Sequence, residues 1–182
     1  MNMKNSVLSK LLAGIGMMIG LMFSVACSSG DDDVDPTPDP EPKSETEQLI
    51  QTYLEPGSEE RPSWTMDISL YQQFEQTMAM QVVPQYFLKD YVGDGDLVAA
   101  FIGDQVRAVT APEKTAGHYY FPLVIAGNGS EGTLIVKYYC SKLHRIYTSL
   151  VKYKFDADYR PTDLGEPLEL IFDWDIYFYE KD

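Results

Sequence analysis

Residues 96–107 read DLVAAFIGDQVR, and this stretch decides the fold. The run 97–102 is apolar without a polar break, which is typical of a central strand covered on both faces. Gly103 and Asp104 then supply the residue types of a tight turn, and a second apolar run begins at Val106. The stretch therefore predicts a β-hairpin near the centre of a sheet.

Arg107 is a charged residue among the apolar neighbours of the second strand. A cation in such surroundings needs a partner, and Asp96 and Asp104 are the nearest acids along the chain. We expect Arg107 to pair with one of these two aspartates, as a structural clamp rather than as a ligand contact.

Alternating apolar residues predict further strands on both sides of this hairpin. Turn signals recur about every 8 to 12 residues, and no long helical pattern interrupts them. The pattern predicts about seven to nine strands in an all-β, antiparallel β-sandwich of jelly-roll or immunoglobulin-like type, with a barrel as the alternative. Pro122 has no backbone N–H, so we expect its strand to lie at an edge or a bulge. The alternating apolar positions are Phe74, Met78, Met80 and Val82; Tyr119, Phe121, Leu123 and Ile125; and Tyr147, Val151, Tyr153 and Phe155.

A short helix is expected before the strands. Ser44 and Glu47 have the spacing of a capping box, in which each residue satisfies a backbone N–H near the other. The apolar residues within 49–54 fall on one helical face, and Pro56 and Gly57 end the pattern.

The first 26 residues have the composition of a signal peptide. Lys4 and Lys10 give a positively charged beginning, and residues 11–23, LLAGIGMMIGLMF, form an apolar run. A helix of this length spans about 20 Å, which is short of the roughly 30 Å core of a bilayer. We therefore predict a signal peptide over residues 1–26 that is removed, rather than a membrane helix.

The residues that end at Cys27 resemble a bacterial lipobox, with the small Ala26 directly before the cysteine that receives the lipid. The resemblance implies that Cys27 attaches the protein to a membrane; the alternative is an ordinary secretory signal. Residues 31–33 are three aspartates, which resembles the export signal of surface-displayed lipoproteins in gut-dwelling diderm bacteria. This resemblance implies a lipid-anchored outer-membrane protein that faces the cell exterior, and the alternative is a solvated acidic spacer.

Proline stands at every second position from Pro36 to Pro42. This density excludes helix and sheet and favours an extended, unstructured stalk. We predict a lipid-anchored acidic linker over residues 27–43 and one β-sandwich domain, preceded by the short helix, over residues 44–182.

The chain carries 14 Lys and Arg against 28 Asp and Glu, a net charge of −14. Removal of Lys4 and Lys10 with the signal peptide leaves 12 basic against 28 acidic residues, a net charge of −16. Nucleic acid is excluded as a partner by this balance, because its phosphates need neutralisation by Lys and Arg. An acidic surface also disfavours direct adsorption to anionic headgroups, so we expect membrane contact through the lipid alone.

The hairpin stretch 96–107 resembles a module frequent in surface-exposed lipoproteins of the same gut bacteria. Its pattern runs D-x-hydrophobic-A-A-F-hydrophobic-G-D-E-x-R-G, and the resemblance extends over residues 64–172. Gln105 stands where the pattern has an acid, and Ala108 stands where it has glycine. The resemblance implies an all-β extracellular domain of unassigned activity, and no catalytic residue is carried over with it.

A candidate ligand-binding face lies in the last segment, residues 174–179 (WDIYFY). If this segment is a strand, alternation directs Trp174, Ile176 and Phe178 to the core. Flat rings and carboxylates suit a sugar, so the opposite face is a candidate glycan platform; ordinary cross-strand tyrosine packing is the alternative. That opposite face consists of Asp173, Asp175, Tyr177 and Tyr179.

Evidence for catalysis or metal binding is weak in this sequence. Cys140 and His144 invite a Cys–His interpretation, but nothing marks a third orienting group or an oxyanion site, and a buried apolar cysteine is the alternative. Residues 93–96, GDGD, offer carboxylates to calcium, yet they lack the spacing of a dedicated loop and fit a polar turn. We predict a protein that is not an enzyme and that has no cofactor.

These observations predict a non-catalytic binding or adhesion module on the cell surface, with a glycan or a host macromolecule as its ligand. The alternative is a structural or accessory subunit of a surface appendage or an outer-membrane complex, with an envelope protein as partner. Exposed strand edges would support the second function through β-strand addition.

Overall fold

The computed structural model describes residues 42–129, 132–157 and 166–181. The predictions for the signal peptide, for the lipid on Cys27 and for nearly all of the linker lie outside these residues. Within the described part of the chain, no helix combines the length and the apolar character needed to cross a membrane.

The predicted hairpin is present. Strand β2 spans Leu97–Ile102 and strand β3 spans Gln105–Thr110, and the two are antiparallel. Gly103 has a φ of +58° and is the first of the two turn residues, where a type II′ hairpin turn requires a positive φ. On its other side β2 pairs with β6, Thr133–Cys140. Residues 98–100 of β2 are 0 % exposed, so β2 is the central, doubly covered strand that its apolar run predicted.

Two sheets contain the strands of the described residues. The four-stranded sheet has the order β4 (Glu113–Thr115), β5 (His118–Gly127), β1 (Gln76–Pro84) and β9 (Leu168–Leu170). The other sheet has the order β3, β2, β6 and β7 (Arg145–Thr148), and β8 (Tyr153–Lys154) also pairs with β6. This mostly-β, two-sheet arrangement is consistent with a β-sandwich.

One strand pair departs from the antiparallel prediction. β9 runs parallel to β1, with Val82 opposite Leu168 and Pro84 opposite Leu170. Between β1 and β9 the chain forms β2 to β8, which belong to both sheets, so the parallel pair is not part of a local β-helix-β unit. Pro122 is opposite Gln81 of β1. On its other side β5 pairs with β4 only through residues 118–120, so among the described residues β5 is an edge at Pro122, as predicted.

Both sheets contribute to one apolar core. Three of the predicted inward positions on β1 and three on β5 are at most 2 % exposed. Two other predicted positions differ: Phe74 lies before β1, and Tyr119 is half-buried. Side chains from β2 and β6 complete the core from the other sheet. The core residues of these four strands are Met78, Met80 and Val82; Phe121, Leu123 and Ile125; Val98 and Ala100; and Leu134, Val136, Tyr138 and Cys140.

An extended segment, residues 55–67, packs on the five-stranded sheet. The Gly57 N–H donates to the Leu143 carbonyl at 2.7 Å, and the Trp64 ring meets the Phe101 ring edge-on with centroids 5.7 Å apart. A Cβ on Gly57 would lie 2.6 Å from the His144 carbonyl oxygen, so this close approach needs glycine. The outward side of this sheet is therefore covered.

Helix α1 spans Glu45–Leu54 and has the predicted capping box. The Glu47 N–H donates to the Ser44 hydroxyl, and the Ser44 N–H donates to the Glu47 carboxylate, which lowers the pKa of that carboxyl. At the other end the Arg145 guanidinium donates to the carbonyls of Thr52 and Glu55. Arg145 thus satisfies carbonyls that the helix leaves unpaired and ties α1 to β7.

The segment predicted as the last strand is a helix, α3, Trp174–Lys181. The Asp173 carboxylate accepts hydrogen bonds from two backbone N–H groups of the first turn. Ile176 is buried in the core, while Trp174 and Phe178, one turn apart, stack with centroids 5.9 Å apart. The strand prediction was wrong because alternation of apolar and polar residues over six positions also fits a helix whose start is capped by aspartate.

Two short helical elements were not predicted. Helix α2 spans Ile68–Tyr71 before β1, and a 3-10 helix spans Tyr86–Tyr91 directly after β1. The 3-10 helix directs Phe87 and Leu88 into the core and so fixes the position of its remaining side chains.

Candidate functional site

A cleft of about 1020 Å³ opens on the outward side of the four-stranded sheet. Met80 and Val82 of β1 point into the core, so the alternate residues Gln81 and Val83 face outward, into the cleft. Residues 55–67 cover the outward side of the five-stranded sheet. Among the described residues no such segment covers the outward side of the four-stranded sheet, where Val124 is 54 % exposed.

Three parts of the chain that are far apart in sequence form the cleft. The first is the end of β1 with the 3-10 helix, the second is the β4–β5 hairpin, and the third is β9 with the residue before it. They meet because β1 pairs with both β5 and β9. The lining residues are Gln81, Val83, Pro84, Tyr86, Lys89, Asp90, Val92, Thr115, Gly117, His118, Tyr119, Tyr120, Pro167 and Glu169.

Two of the three lining tyrosines have hydroxyls held by carboxylates. The Tyr119 hydroxyl donates to Asp94 Oδ1 at 3.1 Å, and the Tyr120 hydroxyl donates to Glu113 Oε2 at 2.7 Å. The Lys114 ammonium lies 4.8 Å from the centroid of the Tyr119 ring. These contacts restrict the rotation of both rings and place them before a ligand arrives.

The third tyrosine, Tyr86, starts the 3-10 helix. Its backbone N–H donates to Glu169 Oε1 at 2.8 Å, and its ring meets the Phe87 ring edge-on. Glu169 lies opposite Val83 in the parallel pair, so this contact joins β9 to the beginning of the 3-10 helix.

The tip of the β4–β5 hairpin borders the cleft. Thr115 is opposite His118, and the two residues between them are Ala116 and Gly117, with φ values of +50° and +88°. Positive φ at both central residues defines a type I′ turn, whose backbone twist matches that of the flanking strands. A short, regular turn holds Thr115, Gly117 and His118 at one side of the cleft.

The predicted platform of Asp173, Asp175, Tyr177 and Tyr179 does not form as a strand face. Both Asp173 oxygens are engaged: Oδ1 caps α3, and Oδ2 accepts the Tyr53 hydroxyl at 3.0 Å. Asp175 is exposed, Tyr177 is half-buried with its ring edge-on to Trp174, and the Tyr179 side chain lies outside the described part of the structure. Asp173 is a structural cap that holds α1 against α3.

Of the two predicted partners of Arg107, Asp96 and Asp104, the strand register excludes Asp96. Ala100 is opposite Ala108, so the register places Asp96 about four residues, roughly 13 Å, further along the sheet than Arg107. The described contacts of Arg107 are to other groups: its guanidinium lies 4.0 Å from the Phe74 ring centroid and donates to the Ala126 carbonyl at 3.3 Å.

The turn at residues 93–96 is held by its own aspartates. Asp96 is 0 % exposed, and its carboxylate accepts from the Tyr138 hydroxyl at 2.6 Å, from the Ser141 N–H and hydroxyl at 2.8 and 2.6 Å, and from the Gly93 N–H at 3.0 Å. Asp94 accepts from the Tyr119 hydroxyl. The polar-turn interpretation fits this geometry, and among the described residues no group of three or more His, Cys, Asp or Glu side chains could hold a metal ion.

Cys140 is a buried thiol at the end of β6. Its sulfur donates to the Tyr91 carbonyl at 3.7 Å, and burial raises the pKa of the thiol. A thiol with a raised pKa is a poor nucleophile at neutral pH. His144, which the sequence places nearby, is exposed in a turn with a φ of +49°.

Alkaline titration is expected to destabilise the protein as its buried tyrosines ionise. Burial, with the hydrogen bond to Asp173, raises the pKa of Tyr53 to about 12, and burial also raises the pKa of Tyr138 and of Tyr147. Each folded-state pKa exceeds the ordinary value of 10.0, so the stability contribution is intact below pH 10 and is lost as the pH rises toward the folded-state pKa.

Urea unfolding followed at a series of pH values checks this expectation. The free energy of unfolding should fall above pH 10, and it should fall less steeply in a Tyr53→Phe variant, which lacks one of the three ionisations. A folded, native circular dichroism spectrum with all tyrosines already ionised would contradict it.

Sequence reasoning did not find the cleft. Its tyrosines were counted as strand residues, and the only local signal was the run of His118, Tyr119 and Tyr120 in one hairpin. Comparison with protein-family models, with curated proteins and with solved structures gives no match to this chain.

Proposed function

We propose that this protein is a non-catalytic binding or adhesion module of the cell surface and that it holds a glycan in the cleft on the four-stranded sheet. The observation that carries the proposal is the lining itself: Tyr86, Tyr119 and Tyr120 stand with amide and charged side chains around about 1020 Å³ of open space. Binding sites commonly combine such a mainly apolar wall with a few polar groups that fix orientation.

The lining matches the chemistry of a sugar. The C–H groups of a sugar ring carry a slight positive charge and pack well on the negative face of an aromatic ring. The hydroxyl groups of a sugar both donate and accept, as does the Gln81 amide, while the carboxylates of Asp90 and Glu169 accept. A surface of this kind binds and orients a polyol and needs no reacting group.

The location belongs to the same proposal. A lipid on Cys27, a proline-rich linker and display on the outer membrane would place the cleft away from the bilayer, where external glycans are accessible. Support comes from the lipobox resemblance, the acidic residues after it and the net charge of −14. For the sandwich we propose a jelly-roll or immunoglobulin-like type, which the two antiparallel-rich sheets support.

Glycan-array binding followed by calorimetry tests this function. The full-length chain in detergent should bind a subset of oligosaccharides, and a Tyr86→Ala/Tyr120→Ala variant should lose at least about tenfold in affinity, since each removed ring contributes of the order of 1 kcal/mol. The matched control is Trp174→Ala/Phe178→Ala, which removes two aromatic rings that do not line the cleft. Absence of any glycan binding, or equal losses in both variants, would overturn the proposal.

A second function is supported by the outer side of α3. Trp174 and Phe178 stack there while 41 % and 59 % exposed, and paired exposed aromatic rings are enriched where proteins meet partners. They favour a structural or accessory subunit that binds an envelope protein. Loss of a co-purifying envelope protein in Trp174→Ala/Phe178→Ala, with glycan binding absent in the wild type, would establish this function instead.

A further inference from the structure

The cleft carries more negative than positive charge. Among its lining residues Asp90 and Glu169 oppose Lys89, with His118 counted as neutral. Three further charged side chains contact the lining tyrosines. Asp94 accepts from the Tyr119 hydroxyl, Glu113 accepts from the Tyr120 hydroxyl, and Lys114 lies over the Tyr119 ring. The Lys142 ammonium donates to the carbonyls of the lining residues Asp90 and Val92 and adds a third positive charge. These side chains sum to four negative and three positive charges on a protein whose net charge is already −14.

The lining also lacks the groups with which proteins recognise anions. Arginine, whose planar fork matches carboxylates and sulfates, is absent from the described residues around the cleft. The backbone N–H at the start of the 3-10 helix is a natural anion donor, but the Tyr86 N–H already donates to the carboxylate of Glu169. The Glu169 carboxylate therefore already occupies the backbone N–H to which an acidic ligand would bind.

The polar groups left for a ligand suit uncharged hydroxyls. The hydroxyls of Tyr119 and Tyr120 are committed to carboxylates, so these two residues offer ring surface rather than donors. Val83, Pro84 and Pro167 extend the apolar wall. At about 1020 Å³ the cleft equals the largest small-molecule sites, so it accommodates several linked rings.

We propose that the cleft selects an uncharged glycan chain of several sugar rings and rejects chains that carry carboxylate or sulfate groups. This inference rests on the proposed glycan-binding function and specifies its ligand class. Like charges repel across a cleft at close range, whereas stacking of sugar rings on tyrosine is indifferent to charge at remote positions.

Matched oligosaccharides that differ only in charge test the selectivity. The probes are oligogalacturonates of six units, either fully methyl-esterified or with free carboxylates, together with neutral glucan, mannan, galactan and xylan oligomers and their sulfated forms. The wild-type chain should bind at least one neutral oligomer and should bind its charged counterpart at least tenfold more weakly. Affinity for the neutral oligomer should change less than twofold when salt is raised from about 50 to 300 mM, since salt screens only charged partners.

Charge-removing substitutions give a second readout. In an Asp90→Asn/Glu169→Gln variant, in which the Gln oxygen can still accept the Tyr86 N–H, the ratio of charged to neutral affinity should rise about tenfold. The isosteric control is Asp104→Asn on the distant β2–β3 turn, which should leave that ratio unchanged.

The outcomes separate the two proposals. If charged oligomers bind as well as or better than the neutral ones, the selectivity is wrong while glycan binding stands. If the Asp90→Asn/Glu169→Gln variant leaves the ratio unchanged, the repulsion by these two carboxylates, on which the inference depends, is wrong. If neither neutral nor charged oligomers bind, the glycan-binding function itself is wrong.

Discussion

Gln85→Leu is expected to lower the free energy of unfolding by about 4 kcal/mol, because it leaves two backbone N–H groups without their acceptor and removes one of the two donors to the Asp173 carbonyl. Gln85 is 0 % exposed. Its Oε1 accepts from the N–H groups of Phe172 and Asp173 at 2.8 and 3.0 Å, and its Nε2 donates to the Asp173 carbonyl at 2.9 Å. One side chain thus holds the backbone between β9 and α3.

Urea unfolding measures the effect, and Gln81→Leu is the matched control, since Gln81 lies four residues earlier, faces outward and is half-buried. The control should change the free energy of unfolding by less than about 1 kcal/mol. If both variants lose similar amounts of unfolding free energy, the hydrogen bonds of Gln85 do not stabilise the backbone between β9 and α3 as assigned.

Gln85→Glu separates the donor from the acceptor. A carboxylate keeps the acceptor for Phe172 and Asp173 but faces the Asp173 carbonyl without a donor, so the buried acid should take a raised folded-state pKa. Stability relative to the wild type should therefore improve as the pH is lowered, when the protonated carboxyl can donate. A pH-independent difference from the wild type would show that the Nε2 donor is dispensable.

Asp96→Ala is expected to cost at least about 4 kcal/mol of folding free energy, because it removes four hydrogen bonds to a charged acceptor and such bonds contribute about 1.5 to 3 kcal/mol each. Its carboxylate accepts from Tyr138, Ser141 and Gly93, and the residue has no exposed surface. Asp96→Asn should lose about half as much, since one oxygen is kept while an amide nitrogen faces donors.

Thermal or urea unfolding of Asp96→Ala, Tyr138→Phe and the double variant isolates the central contact. The two losses should be non-additive by about 1 to 2 kcal/mol, because both substitutions remove the same hydrogen bond. Asp104→Asn on an exposed turn is the control and should stay within about 0.5 kcal/mol of the wild type. Additive losses would mean that Tyr138 and Asp96 do not share this bond.

The hairpin and the helix start were predictable because their signals are local. An unbroken apolar run indicates a doubly covered strand, and β2 has one; Gly103 indicates the turn, and its φ is positive. Ser44 and Glu47 form their capping box within four residues. In each case the residues that decide the conformation are neighbours along the chain.

The α3 segment shows where local signals compete. Residues 174–179 alternate between apolar and polar types, which fits a strand, but Trp174 and Phe178 are also one helical turn apart. The aspartate before them was the better signal, because a side chain that accepts from the first N–H groups starts a helix. With the helix in place, Asp173 becomes a cap and Tyr53 its partner.

The cleft could not be predicted from the sequence, because its shape depends on which strands pair. Tyr86, Tyr120 and Glu169 come together only because β1 has β5 on one side and β9 on the other. Asp96 was a wrong candidate partner for Arg107 for the same reason: the strand register, which cannot be read from the sequence, places Arg107 away from Asp96 and beside Phe74.

The parallel pairing of β1 with β9 also determines the order in which parts of the chain fold. The Gln85 contacts with the backbone at Phe172 and Asp173 join residues 87 and 88 positions apart. Closing a loop of that length has an entropic cost, so contacts between residues close in sequence form first. The hairpins therefore form early, and the Gln85 contacts form last. Until the segment from β9 to α3 arrives, β1 exposes an open edge that another copy could occupy, which makes the nearly folded chain the form most prone to exchange strands.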